Sequence, residues 1–207
     1  MIKGKSYFYQ GRRDKVKTWY TSDTHFSHKN ILRHENRPFG SIEQMDGTLI
    51  DYWNRHINKD DTVYHLGDFV FGGISKWENI IPRLKGKIHL VVGNHDNDKV
   101  LKKISHYFES IEKIIVKKID KQHLFLFHYP IEVGLTPNAY SIHGHIQSCP
   151  SKMINQINVG VDSDFTKEKV GFGNPIPEEV ILRELLIRKE AVLQLRDTSR
   201  GERHRDK

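Results

Sequence analysis

Along this 207-residue chain the hydrophobic positions follow two periods, and the period changes near the middle. From Val16 to Ser22, β-branched and aromatic residues lead into Thr21-Ser22-Asp23, which predicts a short strand. From Ser41 to Ile57 the apolar positions Ile42, Met45, Leu49, Ile50, Trp53 and Ile57 recur at three- and four-residue steps. That spacing predicts an amphipathic helix, with Ser41 placed to cap it. Thr62–Leu66 and Lys87–Val92 read as further strands. Between and after them, Ile74–Leu84 and Asp98–His106 read as helices, the first cut short by Pro82.

Beyond residue 110 the period shortens. Ile111–Ile119 and His123–Phe127 predict paired strands around Asp120-Lys121, followed by strands at Ala139–His143 and Ile154–Val159. Glu178–Leu195 returns to helical spacing and is entered through Pro175 and Pro177. Alternating strands and helices followed by a run of strands imply a first sheet with parallel strands and a second, more antiparallel one. Two facing mixed sheets covered by helices accommodate both.

Three boundaries follow. Residues 1–16 form a basic N-terminal extension, 17–195 one folded domain, and 196–207 a basic C-terminal tail expected to be disordered. The net charge of +7 supports this division, because the ends carry it and the stretch 18–195 sums to zero. Basic ends can hold nucleic acid, whereas the neutral body does not argue for tight nucleic-acid binding. With Cys149 as the single cysteine, no intramolecular disulfide can form, and a cytoplasmic location is expected. No apolar run reaches membrane-spanning length, and Met1–Lys17 lacks the apolar core of a signal peptide, so no membrane partner is expected.

The chemistry sits at the strand ends. Asp23 and His25 follow the first strand, Asp68 the second, and Asn94, His95 and Asp96 the third, while His128 and His143/His145 end two later ones. Strand ends of an α/β sheet converge on one edge, where ligands bind. Carboxylate, imidazole and amide oxygen suit Mn²⁺, Fe or Zn²⁺. On an extended segment Asp23 and His25 would point to one side, and a lone carboxylate such as Asp68 could bridge two ions. Gly67, Gly93 and Gly144 would permit sharp exits from strands and close backbone approach. His28, Asn30 and Arg37 are candidates for contact with substrate phosphate, and Phe69 and Phe71 for stacking on a base or for packing. His65 is left open.

In order, Asp23-Thr24-His25, Gly67-Asp68, Gly93-Asn94-His95-Asp96, His128 and Gly144-His145 resemble the signature of the calcineurin-like metallophosphoesterases over roughly residues 17–177. The runs 22–26, 63–69 and 158–162 resemble a small bacterial and phage-type branch of that family. The resemblance implies a four-layer α/β/β/α sandwich with two divalent ions at one sheet edge, Mn²⁺ first and Fe, Zn²⁺ or Mg²⁺ as alternatives. It implies that Asp23 and His25 bind the first ion, that Asp68 bridges, and that Asn94, His128 and His145 bind the second. His95 would protonate the leaving group or bind phosphate, and Asp96 would hold the His95 ring.

The implied activity is hydrolysis of a phosphate mono- or diester, with nucleotides and nucleic acid among the candidate substrates, by in-line attack of a metal-activated hydroxide. One position departs from the pattern. Where the family reads Gly-His-x-His, this chain reads Gly144-His145-Ile146-Gln147, leaving Gln147 and His143 as alternatives for the last ligand of the first ion. That departure motivates a rival reading, a non-catalytic interaction module with a weakened first site. A phosphodiesterase of nucleic-acid ends, clamped by the basic termini, is the third reading.

Overall fold

The computed structural model describes residues 16–205, with side chains described to residue 198. The basic N-terminal extension therefore lies outside the described residues apart from Val16. In chain order the elements are β1 (Thr18–Thr21), α1 (Ile31–His34), α2 (Ile42–His56), β2 (Thr62–His65), α3 (Ile74–Ile80), β3 (Lys87–Val91), α4 (Asp98–Ile104) and β4 (Ser110–Glu112). They continue with β5 (Ile114–Ile119), β6 (Gln122–Phe127), β7 (Ala139–His143), β8 (Gln156–Asn158), α5 (Asp164–Lys169), β9 (Ile176–Pro177) and α6 (Glu178–Arg205). Helical backbone thus extends to Arg205, through much of the segment assigned to a tail.

The first sheet has the order β4-β3-β2-β1-β9 and the second β5-β6-β7-β8. In the first, β1 to β4 are mutually parallel and β9 runs antiparallel to β1. Its outer face, with Trp19, Val63, Ile88 and Leu90, packs on Met45, Leu49 and Trp53 of α2, Trp77 and Ile80 of α3, and Leu101 of α4. Each such fully buried apolar side chain contributes about 1.5–3 kcal/mol relative to exposure. Tyr20, Leu66 and Val91 on the inner side meet Leu124, Leu126, Tyr140, Ile142 and Ile157 of the second sheet. Ile181 and Leu185 of α6 join that cluster, and Arg188 donates to the Ile154 and Gln156 carbonyls at 2.9 and 2.6 Å. The result is the expected sandwich of two mixed sheets flanked by helices.

Several local readings hold for physical reasons. Ser41 caps α2, its hydroxyl accepting from the Gln44 amide at 3.2 Å. The helix α3 stops at Ile80 and the chain tightens into a 3₁₀ turn over Ile81–Arg83, because Pro82 cannot continue the α-helical hydrogen bonds. Asp120-Lys121 forms the two-residue turn between β5 and β6, with Asp120 at a φ of +53°.

Two readings need correction. The apolar run 111–119 is not one strand: it divides at Lys113 into β4, the edge of the first sheet, and β5, the edge of the second. Alternation reports which side chains are buried but not which sheet buries them, so the crossing leaves no mark on the pattern. Nor is the second sheet mainly antiparallel. Only β5 and β6 pair that way, whereas β6, β7 and β8 are parallel. Their crossovers, 128–138 and 144–155, are irregular loops without helical periodicity, which hid the parallel order.

This topology positions the site. The C-terminal ends of β1, β2 and β3 lie at one edge, and those of β6, β7 and β8 meet them there. The Val161 amide donates to the Ser22 carbonyl at 3.1 Å and joins the two sheets at that edge.

Candidate metal centre

The loops leaving β1 and β2 are held together by backbone bonds from Asp23 to Gly67 (3.0 Å), His25 to Asp68 (3.0 Å) and Phe26 to Phe69 (2.9 Å), amide to carbonyl. Asp23, His25 and Asp68 in these loops, and His145 and Gln147 in the loop after β7, all have positive φ, from +49° to +68°. A non-glycine residue in that region costs about 1–2 kcal/mol, so the surrounding structure sustains strain at the very positions that converge. Asp23-Thr24-His25 is therefore not extended, as its spacing suggested. The side chains converge because the backbone turns at both residues.

Ligand atoms of Asp23, His25 and Asp68 lie within 4.8 Å of one another, and all three residues are buried. Burial pushes the Asp23 carboxyl up to about 7; His128 pulls it down, and the charge of Asp68 adds to the rise. Burial also raises Asp68, but the hydrogen bond and charge of His128, the His95 amide and His25 hold it down at about 2. Burial drives His25 down to about 3, which keeps its ring neutral. Two buried carboxylates beside a neutral imidazole form a donor set that a divalent cation would satisfy.

Gln147 stands at this cluster. Its Nε2 donates to Asp23 Oδ1 at 3.2 Å and to His25 Nε2 at 3.0 Å, while its buried Oε1 has no hydrogen-bond partner. Turned about its last bond, the amide would present an oxygen to the cluster instead of a nitrogen. His143 is engaged elsewhere. It is fully buried, with Nδ1 donating to the Gly144 carbonyl at 2.8 Å and Nε2 accepting from Ser151 Oγ at 3.0 Å. Burial lowers it to about 4. Strand alternation suggested that His143 and Gln147 share a side, but the chain turns at His145 and separates them.

A second group adjoins Asp68. Asn94 Oδ1 lies 2.9 Å from His128 Nε2 and 2.9 Å from His145 Nδ1, and His128 Nε2 lies 3.4 Å from Asp68 Oδ2. The other ring nitrogen of His128 faces the Leu66 carbonyl at 2.8 Å. A carbonyl only accepts, so His128 Nδ1 carries a proton. A neutral His128 would then turn its Nε2 lone pair toward two oxygens. Burial opposes charge on His128, but Asp68, Asp23 and the Leu66 carbonyl outweigh it and raise its pKa. A proton on His128 Nε2 would satisfy both oxygens.

Close approach depends on two glycines. Gly67 has a φ of +96°, and a Cβ there would meet His128 Nδ1 at 2.6 Å and the Gly93 backbone at 2.7 Å. A Cβ on Gly144 would overlap Ser22 Oγ and Asp23 Oδ2.

The remaining candidates take separate places. His95 is exposed at the rim, its amide bonded to Asp68 Oδ1 at 2.8 Å and its ring 5.4 Å from that of His25. Asp96 does not hold that ring: its carboxylate accepts from the Gly93, Asp68 and Phe69 amides at 2.8, 2.9 and 2.9 Å, tying the loop after β2 to the loop after β3. His65 is a core residue, stacked on Phe69 at 4.0 Å with Nε2 bonded to Thr24 Oγ1 at 3.0 Å. Phe69 is fully buried, whereas Phe71 is 42% exposed beside His28 and His95. Asn30 is exposed at the start of α1.

Arg37 is buried, and its guanidinium is taken up by bonds within the protein. Its guanidinium pairs with Asp162 at 2.6 Å and donates to the Asp23 and Thr24 carbonyls at 2.7 and 2.8 Å. Replacing Arg37 by alanine would leave the Asp162 carboxylate buried and alone. A stability loss of about 3–5 kcal/mol is expected, read as a lower urea midpoint; an unchanged midpoint would show that the pair carries no load.

A calcineurin-like phosphoesterase profile matches residues 16–193. The chain belongs to that family. Among its relatives, an uncharacterised protein of Methanocaldococcus jannaschii is 36% identical over 132 residues, 62% of this chain and 68% of its own length. The Gene 66 protein of Mycobacterium phage L5 is 33% identical over 92 residues, 43% of this chain and 44% of its own length. The crystal structure of a protein of unknown function from Aquifex aeolicus superimposes with a TM-score of 0.64 at 26% identity, covering 82% of this chain and 99% of that one.

The bonds that hold the loops carrying these residues left no mark in the sequence. Asp162 follows a strand end, as the candidate ligands do, but its partner Arg37 is 125 residues away. Asn158 Nδ2 donates to the Gln147 carbonyl at 2.9 Å and fixes the loop that carries Gln147. Among the described residues no helix is long and apolar enough to cross a membrane.

Proposed function

We propose that this calcineurin-like phosphoesterase binds two divalent ions and hydrolyses a phosphate mono- or diester. One observation carries the reading: Asp68 Oδ2 lies 3.6 Å from His25 Nε2 and 3.4 Å from His128 Nε2, so one carboxylate faces both ligand groups. Asp23, His25 and Asp68 would hold the first ion, and Asp68, Asn94, His128 and His145 the second, with Mn²⁺ as the first choice. Bound there, such ions polarise phosphoryl oxygens and lower the pKa of water. His95, at the rim, is placed to give a proton to the leaving oxygen or to hold the phosphate. The 33% identity to the phage protein supports placing the chain in the small bacterial and phage-type branch.

Gln147 carries a second reading, a phosphoesterase-fold interaction module whose first site binds metal weakly. In the present arrangement its amide nitrogen satisfies Asp23 and His25, the atoms a cation would need. A first ion must therefore compete with two hydrogen bonds and then accept an amide oxygen in place of an imidazole. Gln147→His is expected to tighten the first ion by about tenfold or more, measured by calorimetric Mn²⁺ titration. Unchanged affinity would remove Gln147 from the first site. If wild type binds no Mn²⁺ at micromolar concentration and cleaves neither an aryl phosphate monoester nor a diester, the module reading replaces the enzyme.

A further inference from the structure

The ligand histidines differ in how their second ring nitrogen is satisfied. His128 uses a backbone carbonyl. His25 has another imidazole instead: its Nδ1 lies 3.2 Å from His28 Nδ1. The direction of that bond follows from the neighbours. With Asp23 as a carboxylate its Oδ1 accepts, so the atom of Gln147 beside it is the amide nitrogen. The same nitrogen donates to His25 Nε2 at 3.0 Å, which makes Nε2 the lone-pair atom of the ring. The His25 proton is therefore on Nδ1, and His28 Nδ1 accepts it. The reverse direction would place an N–H of His25 against an N–H of Gln147.

We propose that His28 is a positioning residue for the first metal half, fixing the His25 tautomer so that its Nε2 lone pair faces Asp23 and Asp68. The assignment rests on the metal-binding reading above. The fold holds His28 in place from two sides. Ser27 has a φ of +62°, and its amide and hydroxyl donate to the carboxylate of Asp46 on α2 at 3.0–3.2 Å, which turns the chain so that His28 comes back over His25. On its outer face the His28 ring stacks on Phe71 at 4.1 Å with 12° between planes. Metal-binding histidines are commonly oriented through the nitrogen that does not bind the ion, and losing that partner weakens metal affinity about 10–100-fold. Here a neutral ring does the work usually given to a carboxylate or carbonyl.

The test is Mn²⁺ titration by calorimetry on wild type, His28→Phe and His28→Asn. Phenylalanine keeps the stack on Phe71 but has no acceptor; asparagine loses the stack but places an oxygen near the former Nδ1. The expected result is a first-ion affinity about 10–100-fold weaker in His28→Phe and close to wild type in His28→Asn. Equal losses in both variants, or no loss in His28→Phe, would overturn the role. A wild type that binds no Mn²⁺ would instead sink the metal reading itself. Nitrogen-15 spectra of the metal-free wild type give a check that needs no variant. His25 protonated at Nδ1 is expected, and protonation at Nε2 would contradict the proposal.

Discussion

Asp68→Ala is expected to abolish phosphoester hydrolysis and to weaken binding of both ions at once. Asp68 Oδ2 faces His25 on one side and His128 on the other, so a single carboxylate oxygen stands between the two ligand groups. Lewis-acid stabilisation supplies several kcal/mol, and each 1.36 kcal/mol is tenfold in rate. A loss on the order of 10³-fold or more in kcat/KM therefore follows from losing both ions. Asp68 Oδ1 also accepts the His95 amide, so the alanine variant loses some stability as well. Asp68→Asn separates the effects, because it can keep an oxygen near that amide while removing the charge. Calorimetry with Mn²⁺ should show both binding events weakened in Asp68→Asn. If only one ion is affected, Asp68 does not bridge.

Asp96→Ala is expected to destabilise the fold as strongly as Arg37→Ala does. The buried carboxylate accepts three backbone amides, from Gly93, Asp68 and Phe69. Its removal leaves those donors without partners beneath two strained loops. An unsatisfied buried donor costs about 1–3 kcal/mol. The three share one pocket and do not add fully, so a total of about 3–5 kcal/mol is expected. Asp96→Asn should cost less, since one oxygen remains, although its NH₂ then faces an amide donor. Urea unfolding with an unchanged slope measures both losses. The role first read from sequence predicts a different outcome. If Asp96 oriented the His95 ring, Asp96→Asn would lower turnover and leave stability almost unchanged.

That contrast shows what the residue pattern carried and where it stopped. The convergence of Asp23, His25, Asp68, Asn94, His128 and His145 was legible because ligands placed just after parallel strands must meet at one sheet edge. The exchange of hydrogen bonds within that edge was not. Asp96 follows His95 directly in sequence, which suggested a side-chain pair, yet its carboxylate turns inward to amides of two loops. His143 and Gln147 were indistinguishable by alternation, because alternation fails where residues such as His145 enter the left-handed region. Arg37 resembled a phosphate ligand by charge and proximity in sequence. Its buried partner, Asp162, comes from the far end of the domain. The fold shows the same division. Met45, Leu49 and Trp53 announced the buried face of α2, but nothing in 111–119 marked the passage from one sheet to the other at Lys113.

The central claim is that ligands on either side of Asp68 make one working two-ion site. Its most direct test is Mn²⁺ titration of the metal-stripped wild-type chain, with bound metal and cleavage of a generic aryl phosphate mono- and diester followed in the same samples. Two ions per chain are expected, the first-site ion the weaker because of Gln147, with hydrolysis rising only as the second equivalent fills. One ion per chain at saturation, or two ions with neither ester cleaved, would contradict it.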